Sequence, residues 1–203
     1  MTIANNYCTV AELKAVLGVP SADTADDSKM EVVIMAVCRT IDAYTGRKFW
    51  TTSGTEARVY SPIDYDIFFC PDDINSLTSV KTDTDGDGTF ETTWATSDYV
   101  KMPRNASLDS KPYTYIQTTP LGNNTFPTSI PNSLQLVGKF GWGATSAAPN
   151  EVKQATLIQA SRIFKRKDAP FGVVGSGEFG TVSEIAKLDP DVIFLLSGVR
   201  RLV

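Results

Sequence analysis

Four carboxylates at short spacing carry the strongest chemical signal in the 203-residue chain: Asp83, Asp85, Asp87 and Glu91, in the run DTDGDGTFE. Counting Asp83 as the first position, the run offers oxygen ligands at one, three, five and nine and a glycine at six. This is the opening half of a helix–loop–helix calcium loop. The twelfth position is Trp94, where such a loop needs a bidentate glutamate. The flanking residues also read as strands. Two readings follow. Asp83, Asp85, Asp87 and Glu91 hold a weak Ca2+, or the two Asp-Gly pairs supply left-handed backbone for a solvated hairpin turn. No other cofactor is indicated.

The rest of the composition argues against catalysis. The chain has no histidine, which excludes Ser-His-Asp and Cys-His nucleophiles, histidine general bases and histidine metal ligands. Cys8, Cys38 and Cys70 are odd in number and far apart, so they form neither a disulfide framework nor a zinc site, and a reducing cytoplasm is the simplest setting. Gly175-Ser-Gly-Glu-Phe-Gly matches a dinucleotide fingerprint letter for letter, but no strand–helix pair flanks it and it reads as a hinge or arm. The cluster Arg162, Lys165, Arg166, Lys167 reads as charge complementing a helix C-terminus rather than a phosphate site. Net charge is −4, which points to neither nucleic acid nor an anionic membrane. No apolar run is long enough to span a bilayer, and no signal peptide is expected.

The elements that position these residues follow from periodicity. Thr9 and Glu12 form a capping-box pattern ahead of a helix over Val10–Leu17, ended by Gly18 and Pro20. The longest helical signal lies within Asp26–Phe49, with Ser28 and Glu31 as a second capping box and Gly46 as a left-handed stop. Met30, Val33, Ile34, Val37, Ile41 and Tyr44 share one stripe of it, while Val32 and Met35 point the other way beside Arg39. Short β-rich runs then predict strands at Glu56–Tyr60, Ile67–Phe69, Leu77–Thr82, Phe90–Trp94, Tyr99–Met102, Tyr113–Thr118 and Ser133–Phe140. Prolines such as Pro62, Pro71 and Pro103 fall between the runs, and Gly122–Ser129 reads as a flexible loop. A helix returns after Asn150 or Ala148 as its cap and stops at Ala169-Pro170. Asp189 caps a last short helix with Pro190 at its first position.

The fold class expected is α+β: a small helical core of three main helices and a short C-terminal helix, with an inserted antiparallel β domain. The boundaries expected are 1–49 and 144–168 for the helical core, 50–143 for the insert, and 169–203 for a flexible arm carrying the short helix.

The order of these parts, with IDAYTGRKFW closing the long helix, LTSVKTDTDGDGTFE in the insert and FGWGATSAAPNEVKQATLIQASRIFKRKD leading to LDPDV and a closing Arg200-Arg201, resembles the head–tail connector (head-completion adaptor) proteins of long-tailed bacteriophages and prophages. The resemblance spans nearly the whole chain. It implies a structural virion protein without catalysis, made in the bacterial host cytoplasm. It further implies a homo-oligomeric ring, commonly a dodecamer, between the portal protein and the tail or stopper, through whose channel DNA passes without specific binding. Asp189, Phe194, Leu195, Leu196, Arg200 and Arg201 would then dock on the portal, and Val32, Met35 and Arg39 would meet the ring neighbour. The alternative is a calcium-stabilised β module that binds a ligand or glycan.

Overall fold

The computed structural model describes residues 5–142, 148–166 and 188–201 and divides into two compact units. One is helical and comprises Met1–Gly46 with Ala147–Val203; the other, Arg47–Ser146, is built on a β-sheet. The α+β class with an inserted antiparallel sheet is therefore as expected. No helix among the described residues is long and apolar enough to cross a membrane.

The helical unit contains α1 (Val10–Leu17), α2 (Asp27–Thr45), α3 (Asn150–Lys165) and α4 (Pro190–Ser197). The capping box of α1 is fully made: the Glu12 amide donates to Thr9 Oγ1 at 3.2 Å, and the Thr9 amide donates to Glu12 Oε2 at 2.9 Å. Gly18 and Gly46 both end their helices in the left-handed region, at φ 72° and 65°. The predicted caps of α2 and α3 are displaced. Ser28 lies inside α2, whose N-cap is Asp26, and Asn150 is the first residue of α3, whose N-cap is Pro149; neither side chain caps its helix by a hydrogen bond to the first-turn amides. Asp26 instead takes Lys29 at 2.8 Å.

Helix α3 packs against each of the other three helices. Its apolar face, Val152, Ala155, Leu157, Ala160 and Phe164, is buried against a core that includes Leu13, Met30, Ile34, Val37 and Ile41. Two polar residues of α3 are buried with them, Thr156 and Gln159. Thr156 Oγ1 donates back to the Val152 carbonyl at 2.8 Å, which satisfies it within its own helix. Charged side chains tie the shell of the unit together: Lys14 meets Asp27 at 2.5 Å and Lys153 meets Glu12 at 2.5 Å.

Among its described residues the sheet unit holds six antiparallel strands: β1 (Glu56–Tyr60), β2 (Ile67–Thr82), β3 (Thr92–Thr93), β4 (Tyr99–Met102), β5 (Tyr113–Thr118) and β6 (Leu134–Phe140). Their order is β1-β6-β2-β5-β4, with β3 paired to the end of β2. The runs Ile67–Phe69 and Leu77–Thr82, expected as separate strands, are the two halves of β2. Pro71 lies inside this strand. It is tolerated because the register with β5 is broken between Phe69 and Ile74, so the ladder asks no donor of it. In β6 the alternation runs unbroken: Leu134, Leu136, Gly138 and Phe140 are buried and Val137 takes the other face. Gly138 is required by a close approach, since a Cβ there would sit 2.0 Å from the Ser76 carbonyl oxygen at a second bulge of β2.

The insert begins and ends in one clasp. Arg47 pairs with buried Asp73 at 2.6 Å and lies 5.1 Å over the Trp142 ring, which also packs on Phe49 at 5.3 Å. The Trp142 amide donates to the Lys48 carbonyl, and Gly141, at φ 119°, lies so close to Trp50 that no side chain fits. Segments 47–50 and 140–142, far apart in sequence, are thus the two sides of one structure.

Candidate functional site

The acidic run forms the tip of the β2–β3 hairpin. Its chemistry is dominated by Asp83, which is buried at 2% exposure. Asp83 Oδ1 accepts from the amides of Gly86 at 2.7 Å and Asp85 at 3.2 Å, and Oδ2 accepts from Gly88 at 2.9 Å. Gly86 and Gly88 turn those amides inward at φ 83° and 90°, where a Cβ is strained. Asp85 accepts the Asp87 amide, and Asp87 accepts both the amide and the hydroxyl of Thr89 at 2.7 Å. Thr89 also hydrogen-bonds Glu91.

The four predicted ligands do converge, with one oxygen from each within 4.8 Å of the others. Asp83, Asp85 and Asp87 each accept from amides within the loop, and the Thr89 hydroxyl lies between Asp87 and Glu91, so the loop is closed by its own hydrogen bonds. Backbone donation, led by Gly86, holds the Asp83 carboxyl below its ordinary 3.8, and the Thr89 hydroxyl does the same for Asp87. Trp94, at the position where a calcium loop needs glutamate, is a core residue whose Nε1 donates to Thr82 Oγ1 at 3.0 Å.

A folded-state value below 3.8 means that the loop's contribution to stability is complete above that pH and is lost as pH falls through the lowered value. Asp83→Asn is therefore expected to lower the melting temperature at neutral pH. The gap to wild type should stay constant down to about pH 5 and close below it as the wild-type carboxyl protonates. Circular-dichroism melts across pH check this, and a gap that persists at low pH would refute it.

The residues predicted for docking divide into two groups. Asp189 caps α4: its Oδ1 accepts from the Asp191 amide at 3.0 Å, its Oδ2 takes Arg162 of α3 at 2.8 Å, and its own amide donates to Gln159 Oε1 at 3.2 Å. Val192 and Leu196, four residues apart on one face, are fully buried. Leu196 is thus part of the helical core and not of an accessible docking face, and α4 is packed on α3 rather than carried on a free arm. Phe194 points the other way at 77% exposure, Leu195 is half-buried and Arg200 is exposed over the Tyr44 ring at 5.0 Å. The Arg201 amide donates to the Thr45 carbonyl at 2.9 Å. The glycine-rich segment with Gly175, Gly177 and Gly180 lies outside the described residues.

Asp189→Ala should loosen α4 by about 1 kcal/mol through the lost cap alone. It would also leave Arg162 without its carboxylate. Hydrogen exchange at the amides of Val192 to Leu196 should quicken, whereas Phe194→Ala should leave it unchanged; equal rates in the Asp189 variant would refute the capping role.

On α2, Val32 is 58% and Met35 38% exposed, so among the described residues this second apolar face joins no core. Arg39 is exposed beside them, with Asp42 at 3.2 Å and the Asn5 carbonyl at 2.9 Å. One further surface escaped the sequence reading. A groove of about 550 Å³ in the sheet unit is lined by Tyr60, Ile63, Ile67, Phe69 and Pro71, with Asp64 among them. Ile63 is 94% and Phe69 69% exposed. The available signal was Phe69 itself, an aromatic on the solvent face of its strand, paired with Tyr115 at 5.1 Å.

No family model matches the sequence, and no curated protein matches it. Solved structures do. A chain from the neck of an empty gene transfer agent (GTA) particle, with C6 symmetry, matches with a TM-score of 0.62 at 18% identity over 100% of this chain and 94% of that one. A chain from the neck of a native particle, with C12 symmetry, matches at 0.59 and 14% identity, covering 100% and 93%. A chain from the virion of the native particle matches at 0.60 and 17% identity, covering 100% and 94%. The chain therefore has the fold of these gene transfer agent particle chains.

Proposed function

We propose that the chain is a structural protein of the neck of a phage-like particle, a head–tail connector whose copies form a ring between the portal and the tail or stopper. The observation that carries this is the fold match over 100% of the chain to neck chains from symmetric particles. The order of parts in the sequence supports the same reading independently. The role is architectural. Asp83, Asp85, Asp87 and Glu91 serve to close a hairpin, and the calcium-stabilised module has no support beyond that loop.

In this reading Asp189 fixes α4 on α3 so that Phe194 and Leu195, followed by Arg200 and Arg201, are presented to the portal. Val32, Met35 and Arg39 face the ring neighbour. DNA passes the channel without specific binding, and on α3 Lys153 and Arg162 are engaged by Glu12 and Asp189. The test is to mix the chain with the portal protein of its particle and image the product by electron microscopy. A ring seated on the portal, weakened by Phe194→Ala, is the expected result. A chain that stays monomeric beside the portal, with or without residues 189–203, would overturn the proposal.

A further inference from the structure

A ring of identical chains closes only if each copy carries two different patches that fit one another. The described residues offer two apolar surfaces of opposite charge, one on each unit. On α2, Ser28, Val32, Met35, Ala36, Arg39 and Ala43 are all exposed, and at 100° per residue they fall within a stripe about 100° wide. The stripe contains a single charged residue, Arg39, which is exposed and meets Asp42 at the stripe's edge at 3.2 Å. Its small residues allow close approach, and Val32 and Met35 project as anchors. On the sheet unit, the groove around Ile63 and Phe69 is mostly apolar and carries an acidic residue in its lining, Asp64, which is exposed, as is Asp66 two residues on.

We infer that neighbouring copies join by seating the Val32–Met35–Arg39 face of α2 in the Ile63–Phe69 groove of the next copy's sheet unit, with Arg39 directed to the acidic rim. This rests on the ring reading above and names the partner surface that the reading leaves open. Anchors at i, i+3 and i+7 entering an apolar groove are a common way for a helix to be recognised. The opposite charges set orientation and disfavour pairing of like surfaces. Each copy gives its helix face to one neighbour and its groove to the other, so the contact is heterologous and propagates around the ring.

Crosslinking tests the pairing directly. The three native cysteines are buried, and burial pushes the Cys8 thiol up to about 12, which keeps the background reaction low. A chain carrying both Met35→Cys and Ile63→Cys, assembled on its portal and treated with a short bismaleimide, is expected to give a ladder of covalent multimers. A mixture of the two single variants should stop at dimers. A ring visible by electron microscopy that gives no ladder would overturn the pairing and leave the ring standing. So would an equal ladder when Leu121→Cys, at a position 93% exposed elsewhere on the sheet unit, replaces Ile63→Cys. A wild-type chain that forms no ring on the portal would overturn the ring reading and this inference with it.

Discussion

Phe126→Ala is expected to destabilise the sheet unit by about 3–5 kcal/mol, the cost of emptying a core aromatic site. Phe126 is fully buried although it belongs to no strand. Its ring stacks on Trp94 with centroids 4.8 Å apart and an angle of 25°, and it meets Phe68 at 6.1 Å. Its amide donates to the Tyr65 carbonyl at 2.9 Å, so the loop is held by backbone as well as by packing. Nearby, Asn124 donates to Asp98 Oδ2 at 2.8 Å. Against a total stability of about 5–15 kcal/mol for an ordinary domain, a loss of this size leaves little margin. Trp50, Trp94 and Trp142 all lie in the sheet unit, so tryptophan fluorescence, excited where tyrosine does not absorb, reports on that unit during urea unfolding. The expected result is a large drop in midpoint for Phe126→Ala and a smaller one for Phe126→Leu. An unchanged midpoint would mean that the loop is dispensable to the core.

That loop also marks the limit of what the sequence discloses. Features fixed within a few residues were readable: the Thr9–Glu12 box, Gly46 as a stop, Asp189-Pro190 as a start, and the ends of β1, β4 and β5. Each depends on local hydrogen bonds or on a short alternation. Features decided by distant partners were not. Gly122–Ser129 has no periodicity, so nothing in it distinguishes a mobile loop from one that delivers Phe126 into a core. Pro71 read as a terminator because the broken register beside it exists only once β5 is in place. Gln159 is polar on a buried face, and its reason for being there, the Asp189 amide, comes from another helix. The site residues follow the same rule. Val32 and Met35 could be singled out by angle alone, because α2 is long and its core stripe is clear. Residues Val192 to Leu196 are five apolar residues in succession, which define no face, so the buried Leu196 and the exposed Phe194 look alike until α3 is present.

The exposed face of α2 carries the second large prediction. Val32→Glu combined with Met35→Lys should leave the isolated chain folded and abolish the ring. Both side chains are exposed, and substitutions at such positions usually change stability by no more than about 0.5 kcal/mol. The new charges stand at i and i+3, where opposite signs support a helix rather than strain it. In an assembly the same charges would be pressed against an apolar surface without partners, a cost that recurs at every interface of the ring. The asymmetry between a small intramolecular effect and a repeated intermolecular one makes the variant decisive. Its melting curve should overlay that of wild type, while electron microscopy with the portal should show bare portals. Loss of the folded chain would return Val32 and Met35 to a structural role. A folded variant that still closes a ring would remove the α2 face from the assembly altogether and require the neighbour contact to be sought elsewhere on the helical unit.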